Sequence, residues 1–166
     1  MIAIMSTIEE ATVADAEGIA AVFAPYAASS VVTFETTPPT ADQWRAKIRE
    51  SRWPFLVLAD EGEVLGYALA APWRPKPAYR YSVETTIYLA PGATGRGHGR
   101  RLLDELLKRC GEAGARQAIA VIVDSGSPAS RNLHLAAGFT DAGVLRRVGF
   151  KQDRWLDTLL MQRELG

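Results

Sequence analysis

The sequence predicts an α/β or α+β sandwich in which helices cover a central sheet. Two observations carry that reading. Segments with strand and helix periodicity begin in mixed order and then run strand, helix, strand, helix, strand. The length of 166 residues, with 48% hydrophobic and 23% charged content, suits a single domain with one sizeable core, spanning residues 7–164.

"STIEEAT" alternates loosely and predicts a first strand. "VADAEGIAAVFAPYAASS" places Ile19, Val22, Phe23 and Tyr26 at helical spacing, with Asp15 near its start as a cap. "TFETTPPT" is a polar, proline-broken loop, after which Thr40 or Asp42 caps a second helix through Trp44 and Ile48. "PFLVLAD", the turn "EGE" and "VLGYALAAPW" predict a hairpin. The proline-rich "RPKPAYRY" leads into a strand, "SVETTIYLA", and then into a glycine loop and the helix "RRLLDELLKRCGEAG". "QAIAVIVD" reads as a buried strand, "SPASRNLHLAAGF" as a short helix, and "RWLDTLLMQREL" as a last strand. The stretch between those last two is assigned no element.

Nineteen basic residues balance nineteen acidic ones, which argues against a general nucleic-acid or membrane-surface binder. A single cysteine excludes an internal disulfide and fits a reducing compartment. The apolar start "MIAIM" is too short for a signal peptide or a membrane span, so a cytoplasmic protein is expected. No His, Cys and Asp cluster has metal-ligand spacing, and no nucleic-acid motif appears.

"YLAPGATGRGHGRRLLDELL" concentrates glycines and arginines where a strand feeds a helix. The first N–H groups of a helix lack internal partners and carry partial positive charge, so this is a cradle for an anion. Glycines let successive amides converge on it, and Arg96, Arg100 and Arg101 add charged donors. A Walker loop needs Lys and then Ser or Thr after its last glycine, whereas His98 and Gly99 follow Gly97 here. A dinucleotide fingerprint needs G-x-G-x-x-G near a first strand, whereas Gly95, Gly97 and Gly99 alternate past mid-chain.

"TGRGHGRRLLDELL" resembles the acetyl-CoA loop of the GNAT N-acetyltransferases, with Gly97 and Gly99 at the family's small positions and Thr94 where it usually has Gln or Arg. "FETTPP", "APWRPKPAYRYSVETTIYL", "SRNLHLAAGF" and "GFKQDRWLD" resemble, in the same order, blocks of the phosphinothricin and methionine sulfoximine N-acetyltransferases. The resemblance implies a GNAT fold: a mixed, mostly antiparallel sheet with a splayed strand pair and helices on both faces. It also implies acetyl-CoA as co-substrate, direct transfer to the α-amine of a small amino-acid analogue, and a homodimer to which the apolar C-terminal strand contributes. Alternatives are a GNAT enzyme acting on a peptide or protein N-terminus or another small amine, and an acyl-CoA sensor without catalysis.

Alternation along "SVETTIYLA" puts Glu84, Thr86 and Tyr88 on one face and Val83, Thr85, Ile87 and Leu89 on the other. Glu84 is a general base, as its place in the family motif implies, or else a carboxylate on an exposed sheet face, or one paired with Arg80. His134 is either a satisfied helix residue or, by the resemblance, an acid/base or substrate-orienting group, with Tyr88 as another proton source. The resemblance further implies co-substrate contacts from Ile87, Leu89, Thr94, Gly95, Arg96, Gly97, Gly99, Arg100 and Ser127, with His98 toward solvent or a phosphate. Ser127 stands where relatives often have Asn. Phe34, Thr36, Arg74, Lys76 and Tyr79 are implied on the amine substrate's side, and the basic, aromatic character of "WRPKPAYRY" suits an anionic substrate. Cys110 continues the stripe of Leu103, Leu106 and Leu107, which predicts a packed core thiol rather than a nucleophile.

Overall fold

The structure, a computed structural model, describes residues 6–166, and the run "MIAIM" lies outside them. Seven strands form one sheet in the order β1-β2-β3-β4-β5-β7-β6. β1 (Thr7–Glu10), β2 (Phe55–Asp60), β3 (Glu63–Pro72) and β4 (Ser82–Leu89) are successive antiparallel neighbours. β5 (Gln117–Val123) runs parallel to β4, while β7 (Arg154–Glu164) is antiparallel to both β5 and β6 (Thr140–Lys151). The sheet is therefore mixed and mostly antiparallel, as the family resemblance implies.

Each helix follows from its local chemistry. Before α1 (Ala16–Ser29), Asp15 turns its carboxylate back to accept the Thr12 N–H at 2.8 Å, closing a single 3₁₀ turn. α2 (Ala41–Glu50) is capped by Thr40: its hydroxyl accepts the Gln43 N–H at 3.2 Å, and the Gln43 side chain accepts the Thr40 N–H at 2.8 Å. The hairpin turn between β2 and β3 has Glu61 and Gly62 both at positive φ, +48° and +83°, as a two-residue turn between right-twisted strands requires. α3 (His98–Glu112) and α4 (Ala129–Ala136) complete the chain's helices among the described residues.

Two apolar layers sandwich the sheet. Ile19, Val22 and Phe23 of α1 and Trp44 of α2 pack with Phe55, Val57, Tyr67 and Leu69 on one face. Leu102, Leu103, Leu106 and Leu107 of α3 pack with Leu56, Leu58, Val83, Ala118 and Met161 on the other. Cys110 lies fully buried in that second layer.

β6 is the element the sequence conceals. Its register against β7 shifts between Asp141 and Gly143 and again between Leu145 and Gly149, so no period of two runs through "TDAGVLRRVGFK". The feature that positions the site lies at mid-sheet. β4 and β5 stay in register only over Ser82–Thr85 with Gln117–Ala120, and beyond Thr85 the two parallel strands part.

Candidate active site

The fork between β4 and β5 opens into a cavity of about 750 Å³. Glu84 and Tyr88 reach its wall from one face of β4, and Ile87 and Leu89 reach it from the other. Gly95, Gly97, Gly99 and Arg100 also line it, as do Ser127, His134 and the loop Val32–Glu35. The cavity thus gathers Glu84 and Tyr88 of β4 with His134, which is far from both in sequence.

The backbone of β4 is presented by the fork itself. Ala90 donates its N–H to Leu65 O at 2.8 Å, so alternation turns Tyr88 and Thr86 toward β3 as well. Ile87 and Leu89 then point their N–H and C=O groups the other way, where β5 has turned aside. Tyr26 of α1 donates its hydroxyl to Leu89 O at 2.5 Å and fixes this free end of the strand. The sequence shows Tyr26 as a helix packing residue and gives no sign of that bond.

At the start of α3, Gly95 and Gly97 have φ of +76° and +78°, and an added Cβ at either would meet nothing within 4 Å. Left-handed glycines with open space before a helix let a ligand approach the backbone closely, and Gly97, Gly99 and Arg100 at this helix start line the cavity. No acidic residue occupies the first turn of α3, so nothing opposes an anion there. Arg100 lines the cavity while also pairing with Asp104 at 2.8 Å. Thr94 is on the wall too, its hydroxyl bound to Pro91 O at 3.1 Å. Arg96 is exposed and off the wall, and His98 is half-buried with its Nδ1 enclosed and unpartnered in the protein. Arg101, expected at the anion, is committed elsewhere: its guanidinium donates to Ser6 Oγ at 2.8 Å and to Ser6 O at 3.1 Å.

Glu84 is half-buried, and burial raises its carboxyl above the ordinary range, partly offset by the positive charges of Arg74 and Lys47. Arg80, the partner weighed from sequence, instead lies over the Tyr81 ring at 4.5 Å and donates to Pro77 O. Tyr88 is held above the usual phenol range, chiefly by burial, and so keeps its proton. His134 is 3% exposed and packs edge-on against Phe139 at 5.0 Å. Its Nδ1 lies 2.7 Å from Ser130 O. A carbonyl only accepts, so Nδ1 carries the hydrogen and Nε2 keeps a free lone pair. Burial lowers the His134 pKa, against a smaller opposing pull from that carbonyl, so the ring is neutral at pH 7.

The residues implied on the amine's side separate into two groups. Phe34 reaches the cavity and lies over Gly149 of β6, where an added Cβ would run into its ring. Thr36, Arg74, Lys76 and Tyr79 are exposed and not on the wall, and Arg74 stacks over Trp73 at 4.6 Å. Lys47 and Trp44 of α2 are on it instead, and neither was singled out from sequence as a site residue. Lys151 was also missed. It is 7% exposed and gives its ammonium to Ala27 O and Thr33 O at 3.0 Å and Glu35 O at 2.6 Å, with Tyr26 O at 3.4 Å. That bouquet ties the end of α1 to the loop walling the cavity.

The fork, the glycine loop and the half-buried Glu84 meet at one cavity, and the chain belongs to the GNAT acetyltransferase family. The family model described as Acetyltransferase (GNAT) family matches residues 19–139. The chain is 46% identical over 155 residues to a phosphinothricin N-acetyltransferase from Alcaligenes faecalis, covering 92% of this chain and 79% of that one. It is 35% identical over 164 residues to an L-methionine sulfoximine/L-methionine sulfone acetyltransferase from Pseudomonas paraeruginosa, covering 96% and 95%. A crystal structure of a GNAT superfamily phosphinothricin acetyltransferase from Sinorhizobium meliloti in complex with AcCoA superposes with a TM-score of 0.91 at 42% identity, over 97% of this chain and 89% of that one.

Cys110 plays no part in this site. It is absent from the cavity wall, and burial pushes its thiol up to about 12, so no thiolate is available near neutral pH. Cys110→Ala is expected to retain most acetyl transfer and to cost about 1 kcal/mol of stability through lost packing. Near-total loss of turnover in a variant with an intact melting transition would contradict this.

Proposed function

We propose that this enzyme acetylates the α-amine of a small amino-acid-like substrate, of the phosphinothricin or methionine sulfoximine and sulfone type, by direct transfer from acetyl-CoA in a ternary complex. The observation that carries the reading is that one cavity is lined by Glu84, Tyr88, the glycine loop, the Val32–Glu35 loop and the part of β4 that β5 has left.

Acetyl-CoA supplies the acetyl group as an activated thioester. The N-terminus of α3, with Gly95, Gly97, Gly99 and Arg100, holds its phosphates. The N–H groups of Ile87 and Leu89 face the fork, where they orient the pantetheine arm and polarise the carbonyl under attack. Ser127, a shorter side chain than Asn, reaches the same arm from the β5 side through a water. Glu84, kept basic by burial, takes a proton from the incoming ammonium. The freed amine forms a C–N bond to the acetyl carbon as the C–S bond breaks. Tyr88, which retains its proton, gives it to the departing sulfur and regains one from the new amide nitrogen, while Glu84 releases its proton to solvent. His134 offers Nε2 as an acceptor that orients the amine, because its lowered pKa makes it a poor proton store.

Gly97→Asp is expected to raise the KM for acetyl-CoA about tenfold, since it adds backbone strain at a positive φ and an anion beside the phosphate cradle. An unchanged KM would place the phosphates elsewhere. Varying both substrates in initial-rate experiments is expected to give intersecting double-reciprocal lines; parallel lines would contradict direct transfer.

The enzyme acts as a cytoplasmic homodimer in this reading. The β6–β7 hairpin exposes Val144, Leu145, Val148, Phe150 and Trp155, each 46% or more accessible, which supports a partner surface. Light scattering that finds only monomer at micromolar concentration would contradict it.

A further inference from the structure

Acetyl transfer needs an amine beside the base, and the protein carries one of its own. Among the described residues, Lys47 is the lysine that lines the cavity. The other lysines are placed differently. Lys76 and Lys108 are exposed and off the wall, and Lys151 gives its ammonium to backbone carbonyls. α2 carries Lys47 over the face of the sheet that presents Glu84 and Tyr88. Trp44, one turn earlier, packs against Tyr67 at 5.1 Å, and Tyr67 stands directly opposite Tyr88 in the pairing of β3 with β4. The Lys47 ammonium lies over the Trp44 ring at 5.3 Å, which holds it above this aromatic floor. Its charge is felt at Glu84, whose carboxyl it pulls down against the larger effect of burial.

A primary amine on a flexible stem, on the same wall as the base, is itself a candidate acceptor. We propose that the enzyme acetylates itself: with acetyl-CoA bound and no free amine present, the ε-amine of Lys47 takes the acetyl group. The inference rests on the acetyl-transfer chemistry proposed above and needs no particular amine substrate. Glu84 takes one proton from the Lys47 ammonium and later releases it to solvent. A C–N bond forms from Nζ to the acetyl carbon as the C–S bond breaks. Tyr88 gives its proton to the sulfur and regains one from the new amide nitrogen. The products are acetyl-lysine, free CoA thiol and a proton. Tethering on α2 keeps the effective concentration of this amine high, so the step is first order in the chain.

The test incubates the full chain with acetyl-CoA and no added amine, and follows acetylation by intact mass and peptide mapping. The expected result is an acetyl group on Lys47, gained at least about tenfold faster than on Lys76 or Lys108, at a rate per chain that dilution leaves unchanged. Lys47 is exposed on α2, so Lys47→Arg is expected to fold normally and to lose this label. Glu84→Gln is expected to slow the labelling by about 100-fold or more. An unlabelled Lys47, or labelling of Lys76 and Lys108 at the same rate, would overturn the inference. A wild-type rate in Glu84→Gln, or a rate per chain that falls on dilution, would overturn it too. Assays with free amines separate this from the proposed substrate. Labelled Lys47 without turnover on any amine would retain the self-acetylation and remove the substrate class. Turnover of phosphinothricin by a chain whose Lys47 stays unlabelled would do the reverse.

Discussion

Replacing Glu84 by Gln is expected to lower kcat by about 100-fold or more, the usual contribution of a positioned general base, while leaving the KM for acetyl-CoA near its wild-type value. The amide keeps the shape of the side chain and its place on β4 but cannot take a proton. The pH dependence follows from the same burial. Glu84 must be ionised to act and its pKa lies above the ordinary carboxylate range, so kcat/KM is expected to fall as pH drops through that raised value. Stability moves the opposite way. The folded chain favours protonated Glu84, so ionised Glu84 opposes folding above its folded pKa, and that penalty fades as pH falls toward the unfolded value. Glu84→Gln is therefore expected to melt above wild type at neutral pH and to match it in acid. A variant with wild-type turnover across pH would remove Glu84 as the base. One that loses both turnover and melting temperature would point to a structural role.

Lys151→Met carries the second large effect. The ammonium satisfies carbonyls at the end of α1 and in the loop after it, from residues 116–125 positions away in sequence. Removing it leaves those carbonyls without their charged donor, at a cost of roughly 2–4 kcal/mol. The loop it anchors supplies Val32, Thr33, Phe34 and Glu35 to the cavity wall. Urea unfolding is expected to show the lost stability as a lower midpoint, and the KM for the amine is expected to rise more than that for acetyl-CoA. Equal effects on both substrates, or an unchanged midpoint, would show that Lys151 does not hold this wall.

What the sequence made legible follows from periodicity and local chemistry. The period-two alternation of "SVETTIYLA" puts Glu84 and Tyr88 together on one face, opposite Val83 and Thr85, as the structure has them. The cradle was legible because positive φ and helix starts have residue signatures, and the leucine stripe ending in Cys110 because cores do. Contacts made by long side chains across the fold have no such signature. Lys151 reads as a surface lysine until β6 brings it under α1, and Tyr26 reads as packing until its hydroxyl meets Leu89 O. Arg101 reads as an anion ligand because its neighbours do, yet Ser6 takes it. β6 escaped because two register shifts break its alternation and its apolar residues are exposed.

The measurement that tests the central claim most directly is the release of CoA thiol from acetyl-CoA. The amines to compare are phosphinothricin, methionine sulfoximine and methionine sulfone against polyamines, aminoglycosides and N-terminal peptides. Turnover with the three amino-acid analogues, well above the rest, is the predicted result. Turnover confined to peptides or polyamines would contradict the substrate class. Acetyl-CoA binding with no turnover on any amine would contradict catalysis and leave a sensor.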